Sequence, residues 1–185
     1  MRHNIAVAAA LALMLAACGK TQDKVAEKAA EKAIEASMEK GGGGQAKVDL
    51  SGGTAKIATT DATGKTTQME IGGAQVSEAE LGLPFYPGAK PLEGGTSRIA
   101  SPEGHMLSVG LHSDDDADKV AAFYRERLKA QAAGKQFMDM SGGDGTAALL
   151  LADEKSQDSL QVHVSKADKG SDIQIVASRK GAGTR

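Results

Sequence analysis

Short segments in which apolar and polar residues alternate restrict this chain to a fold built on β-strands. The alternation is clearest where Leu160, Val162 and Val164 are separated by single polar residues. Successive side chains of a strand point to opposite faces, so this pattern predicts a strand with one buried and one wet face. Comparable segments bounded by turn residues occupy 136–140, 146–152, 159–165 and 172–178. Together they predict an antiparallel sheet.

One segment between these strands has helical periodicity instead. Its apolar residues recur at three- and four-residue intervals and form a stripe consisting of Ala117, Val120, Ala121, Tyr124 and Leu128. We predict a helix over 114–132, with Ser113 as its N-cap and Gly134 as its stop. A hairpin of strands 97–101 and 105–113 precedes it, and a slip in the alternation near Ser108 suggests a bulge. The predicted class is α+β, with the order ββαββββ and the helix packed on the sheet.

The region before this domain has two parts. Residues 46–73 contain three short alternating segments, each with about two apolar residues, which are marginal unless they dock on the main domain. Residues 20–40 repeat the pattern KVAE, KAAE, KAIE, whose residues are strong helix formers. On a helix this period of four places lysines and glutamates in adjacent rows that can pair. We predict a solvated helical stalk followed by a flexible glycine joint at 41–44; a helix that docks on a partner is the alternative.

The first eighteen residues carry the most specific motif in the chain. Arg2 and His3 precede an uncharged apolar run at 5–17, which is too short to span a bilayer and is typical of a secretory signal peptide. Residues 15–19, LAACG, resemble the lipobox of bacterial lipoproteins. The resemblance implies cleavage before Cys18, a diacylglyceryl group on its thiol and a fatty acid such as palmitate on its amine. Because Gly19 rather than aspartate follows, it also implies the outer membrane, on the periplasmic side, in preference to the inner membrane, which is the alternative.

A second resemblance begins at the start of the main domain. Residues 81–180 resemble a group of uncharacterised bacterial envelope proteins with a P-x-Y-P-G-A segment and, on a later helix, a Phe-Tyr pair followed by leucine. The residues that carry the resemblance are Pro84, Tyr86, Pro87, Gly88, Ala89, Phe123, Tyr124 and Leu128. The resemblance implies a fold and no activity. Because proline fixes the backbone here, we expect an extended segment with Phe85 or Tyr86 in the core and a turn at Pro87-Gly88.

The predicted organisation therefore has five parts. They are a signal peptide at 1–17, a lipidated N-terminus with helical stalk and glycine linker at 18–44, a small β-strand segment at 45–80, the α+β domain at 81–180 and a disordered tail at 181–185. The formal net charge of −2, the absence of tryptophan and the 3% aromatic content argue against nucleic acid as a partner. Since Cys18 is the only cysteine, no disulfide can form within a lipidated chain.

Motifs for catalysis, metals or cofactors are incomplete. Residues 63–66, TGKT, lack the earlier glycine and the following helix of a phosphate loop. The aspartates within 114–118 lack the spacing of a calcium loop. His105 and His112 are seven residues apart on a predicted strand, so without a bulge they face opposite sides. We therefore predict no cofactor, no metal ligand and no catalytic residue, and Cys18 as the one site of modification.

Two functions remain open from the sequence. The first is a membrane-anchored periplasmic lipoprotein that binds or scaffolds another envelope protein, held to the bilayer through the lipid on Cys18. The second is a small hydrolase or ligand carrier with a site on the open face of the sheet, where Gln161, His163 and Gln174 are candidate lining residues. A concave pocket near His163 would favour the second.

Overall fold

The computed structural model of the protein describes residues 23–42, 44–142 and 145–181. The predicted signal peptide, Cys18 and the last four residues of the predicted tail lie outside these residues. Within the described ranges, no helix has both the length and the apolar character needed to cross a bilayer.

Three helices and nine strands make up the described part of the chain. The helices are α1 (Asp23–Gly42), α2 (Glu78–Leu81) and α3 (Ala117–Ala130). The strands are β1 (Gln45–Ser51), β2 (Thr54–Thr60), β3 (Thr66–Ile71), β4 (Lys90–Ser101), β5 (Gly104–Ser113), β6 (Gln136–Asp139), β7 (Ala147–Asp153), β8 (Asp158–Lys166) and β9 (Ser171–Lys180).

All nine strands belong to one antiparallel sheet in the order β1-β2-β3-β4-β5-β9-β8-β7-β6. The α+β class is therefore confirmed. The finer architecture, a ββαββββ sheet preceded by a stalk and a separate β segment, is not matched. β3 pairs with β4 through Gln68–Ile71, so β1 to β3 extend the same sheet instead of standing apart. Docking satisfies the backbone groups of strands too short to be stable alone.

The core lies between α3 and one face of the sheet. Alternate residues of β5, β7, β8 and β9 point to this face and are fully or almost fully buried, as are the apolar stripe residues of α3. Burying each large aliphatic side chain of this kind contributes about 1.5–3 kcal/mol. We call this the helical face of the sheet and the opposite side the open face.

The proline-rich segment at 84–89 is fastened to α3. Tyr86 is only 6% exposed, its N–H donates to the Tyr124 hydroxyl at 2.9 Å and its own hydroxyl donates to Asp115 at 2.6 Å. The Phe123 ring packs edge-on against both tyrosines, with centroids 5.1 Å apart in each pair. The Ala89 N–H donates to the Tyr86 carbonyl across the turn at 87–88. The expected insertion of Tyr86 and the turn are thus confirmed, and these aromatic residues serve the fold.

Three local predictions need correction. Asp116, not Ser113, is the N-cap of α3, while the Ser113 hydroxyl accepts a hydrogen bond from the Asp115 N–H. The helix ends at Ala130, before Gly134, which lies in the turn to β6 with a φ of 73°.

The bulge lies on β4 between Pro91 and Thr96 and not at Ser108. β5 pairs without interruption along β9, so its register cannot slip, whereas Gly94 supplies the positive φ that the irregularity in β4 requires.

Candidate functional site

Helix α1 covers the outer edge of β1 through a row of glutamates. The N–H groups of Leu50, Val48 and Ala46 point away from β2 and donate to side-chain carboxylates of α1. The accepting residues and distances are Glu31 at 3.0 Å, Glu35 at 2.8 Å and Glu39 at 3.4 Å. We call these three residues the glutamate ladder. It gives the donors of an edge strand partners from within the same chain, which prevents them from pairing with another chain.

Two periods that nearly coincide make the ladder work. Four residues of an α-helix rise about 6.0 Å, and two residues of a strand advance about 6.6–6.8 Å. Glutamates at every fourth helical position can therefore meet alternate N–H groups of an antiparallel strand. The difference of about 0.7 Å per step accumulates away from the best-fitting position, and the shortest of the three bonds is indeed the central one, from Val48 to Glu35.

The first residue of the ladder is the most enclosed. Glu31 is 5% exposed, and Lys28 of the same helix lies 2.8 Å from its carboxylate. The Leu50 N–H and, after it, Lys28 hold the pKa of Glu31 below its usual value because both stabilise the charged form. The prediction of a solvated stalk is therefore wrong: α1 packs on β1 of its own chain. The four-residue period of the glutamates was visible in the sequence, but the groups that these glutamates bind are backbone N–H groups of β1.

The open face carries an apolar row that crosses five strands. Paired positions on β1 to β5 place Val48, Ile57, Met69, Ile99 and Met106 side by side. Val48, next to α1, is buried, and Met106, at the other end, is exposed. The next position along the row, on β9, is a serine. Along this row the open face therefore changes from apolar to polar at the centre of the sheet.

The polar half of the open face contains the residues expected to line a catalytic or carrier site. His163 lies opposite Gln174 and is exposed. The Gln174 amide donates to Ser108, so it is committed to a cross-strand bond. His112 contacts Asp172 at 2.8 Å on the same face. Because the pairing of β5 with β9 is regular, His105 lies on the other side of the sheet.

These residues do not form a recognisable reactive cluster. No group of three or more His, Cys, Asp or Glu side chains that could hold a metal ion occurs within the residues that the structure describes.

Two concave regions lie at the β1 to β4 side of the molecule. One, of about 360 Å³, lies on the open face near the hairpin tips and is lined by residues that include Met38, Thr59 and Ser101. The other is a groove of about 850 Å³ over β1 to β4, with Lys56 and Arg98 among its lining residues. Neither is lined by His163 or its neighbours.

Several of the charged residues that line the larger groove are paired with one another or with other parts of the fold. Lys56 lies 3.6 Å from Glu70. Arg98 donates to Glu80 and to the Gln75 carbonyl, each at 2.7 Å. Arg98 and, after it, Ser77 lower the pKa of Glu80 to about 2 because they stabilise its carboxylate. The arginine thus fastens the α2 segment to β4.

The remaining acidic motifs also have structural partners. Asp61 accepts hydrogen bonds from the Thr63 and Lys65 N–H groups and shapes the turn that contains the TGKT sequence. Asp115 binds the Tyr86 hydroxyl and Lys119. These carboxylates stabilise a turn and a helix start, which accounts for their positions without a phosphate or calcium ligand.

Comparison of the chain with known protein families, with curated proteins and with solved structures finds no match. The function must therefore be inferred from the residues themselves.

Proposed function

We propose that this protein is a lipid-anchored component of the bacterial cell envelope, which faces the periplasm from the outer membrane and binds or scaffolds another envelope protein. The observation that carries the proposal is Cys18 within the LAACG sequence at 15–19, directly after an apolar leader. Two or three acyl chains on this residue would hold the protein to a bilayer in an essentially permanent way, because each buried CH₂ contributes about 0.8 kcal/mol.

The position of α1 supports an anchor that restricts the orientation of the domain on the membrane, in addition to keeping it at the membrane. Only four residues lie between Cys18 and Asp23, where α1 begins. The glutamate ladder then fastens α1 along β1. A lipid on Cys18 would therefore hold one edge of the sheet close to the membrane surface.

The open face supports binding in preference to catalysis. It presents an apolar row that ends at the exposed Met106, and methionine side chains adapt well to a partner surface. Both concave regions described above lie over β1 to β4, and His163, the centre of the alternative hydrolase or carrier site, lines neither of them.

Metabolic labelling with palmitate tests the anchor. The wild-type protein should incorporate label and fractionate with the outer membrane, whereas Cys18→Ala should incorporate none and leave the membrane fraction. As a matched variant, Gly19→Asp should keep the label and move to the inner membrane. Label retained by Cys18→Ala would refute the proposed site.

Chemical cross-linking followed by affinity purification from solubilised membranes tests the binding role. A stoichiometric envelope protein should be recovered with the wild type, and its yield should fall when Met106 is replaced by glutamate. If repeated purifications from different growth conditions recover only the protein itself, the scaffold role is wrong even if Cys18 is acylated.

A further inference from the structure

Three large apolar side chains toward one end of the molecule are exposed. Val25, in the first turn of α1, is 73% exposed, Ile71, the last residue of β3, is 41% exposed, and Leu92, in the bulge of β4, is 39% exposed. Single exposed apolar residues are common on soluble proteins. Several that share one end of a molecule indicate a surface that is covered in use.

The register of the sheet places two of them on the open face. Ile71 pairs with Ala55, which pairs with Leu50 on β1, so Ile71 lies two strands, or about 10 Å, from the covered edge. A Cδ atom of Leu92 lies 3.4 Å from the Cβ position that a side chain at Gly110 would occupy, beside Gln174 of the open face. In the cross-strand row of Ile71 the residue on β5 is Ser108, and Gly110 is the next open-face residue along β5.

The direction of α1 places the third residue, Val25, at the same end of the molecule. Glu31 bonds to Leu50 near the end of β1, and Glu39 bonds to Ala46 near its start, so α1 runs antiparallel to β1. Val25 precedes Glu31 by six residues, or about 9 Å of helix. It therefore lies beyond the end of β1, toward the end of the molecule where β3 also finishes.

The chain outside the described residues leads from this end to the anchor. Cys18 precedes Asp23 by five residues, which span at most about 17 Å. An acyl group on Cys18 would thus lie within reach of the same end of the molecule. Of the possible occupants of this surface, the bilayer is the one that the chain itself brings there.

We propose that Val25, Ile71 and Leu92 form a second contact with the lipid bilayer, which orients the domain on the membrane. This inference rests on the proposed lipidation of Cys18. Apolar side chains that enter the interfacial region add to an acyl anchor and restrict the rotation of the domain that it holds. With these three residues at the lipid surface, β6, six strands from β3 in the sheet, would lie about 29 Å away across the sheet, and the twist of about 20–25° per strand would turn its open face away from the bilayer.

Site-specific fluorescence in vesicles tests the orientation. Ile71→Cys and Leu92→Cys would each be prepared as the full lipoprotein, labelled with the environment-sensitive dye NBD and reconstituted in phosphatidylethanolamine and phosphatidylglycerol vesicles that contain doxyl-labelled lipid. Met138→Cys is the matched control, because Met138 is 42% exposed and lies on β6. Circular dichroism before reconstitution verifies that each variant is folded.

The expected result is a loss of most of the dye emission at positions 71 and 92 and no loss at position 138. Equal quenching at the three positions, or none at 71 and 92, would overturn the proposed contact. Dye uptake by the wild type reports separately on the anchor. An acylated Cys18 leaves no free thiol, so a wild-type protein that takes up dye would refute the lipidation itself.

Discussion

Replacement of Tyr124 by phenylalanine removes one oxygen atom from the centre of the core. That oxygen accepts the Tyr86 N–H at 2.9 Å, and both residues are buried, so water cannot take its place. A buried donor left without a partner costs about 1–3 kcal/mol. For a chain of this size, each 1 kcal/mol shifts Tm by about 2–4 °C, so Tyr124→Phe should lower Tm by about 2–12 °C.

Urea unfolding followed by circular dichroism is the direct assay for this change. The midpoint should fall while the slope m stays unchanged, because the surface exposed on unfolding is the same. Tyr86→Phe is the matched control: its hydroxyl donates to Asp115, which keeps Lys119 as a partner. The control should lose less stability than Tyr124→Phe. Equal losses, or a Tyr124→Phe midpoint equal to that of the wild type, would refute the assignment of this bond.

Three further predictions concern a turn, the glutamate ladder and acid stability. Gly170→Ala should destabilise the protein strongly, because the added Cβ would lie 1.9 Å from a backbone oxygen, and thermal unfolding would measure the loss. Glu35→Gln should speed hydrogen exchange at the Val48 amide, because a neutral amide oxygen is a weaker acceptor than a carboxylate. Since the pKa of Glu80 is lowered to about 2, its ion pair should stabilise the fold fully above about pH 4.5 and progressively less toward pH 2, as followed by acid titration of stability.

Each of these predictions has a matched comparison. Gly134 has a φ close to that of Gly170, but open space surrounds its Cβ position, so Gly134→Ala should bear only the backbone strain. Equal losses at the two glycines would contradict the steric argument. Lys32→Gln, in the same helix, should leave exchange at Val48 unchanged. In Arg98→Gln the pH dependence between about 4.5 and 2 should flatten, and an unaltered slope would show that Glu80 is not its source.

The sequence predicted the structure best where the pattern of apolar and polar side chains alone determines which face of an element is buried. The regular alternation from Leu160 to Val164 predicted β8, and all three apolar residues of that segment are buried. The stripe of α3 was equally readable, because each of its residues faces the core. In both elements the pattern of apolar residues reflects one dominant interaction, the packing of the element's own side chains into the core.

The N-terminal half of β4 illustrates what the pattern could not reveal. Pro91 and Gly94 are residues of turns, yet the strand begins at Lys90 and continues through a bulge. Its position is imposed by pairing with β5, which is a tertiary constraint and leaves no alternation in the local sequence. Propensity in such a segment is overridden by its neighbour.

The docking of α1 was missed for a different reason. Its glutamates bind backbone N–H groups of β1, which every residue except proline possesses, so the partner strand has no side-chain signature. The only signal was the glutamate period of four, and pairing with lysines explained that period equally well. For the candidate sites, the Cys18 motif is local and readable, whereas the proposed membrane contact of Ile71 and Leu92 depends on strand register.

The central position of β9 has a consequence for how the protein acquires its structure. β9 is the last strand in chain order, yet it pairs with β5 on one side and β8 on the other. A nascent chain that lacks Ser171–Lys180 holds two unconnected sheets, each with an unpaired strand at the boundary. Because the pairing of Gly104 with Lys180 closes a long loop, we expect slow, non-local folding that cannot finish until synthesis of the chain is complete.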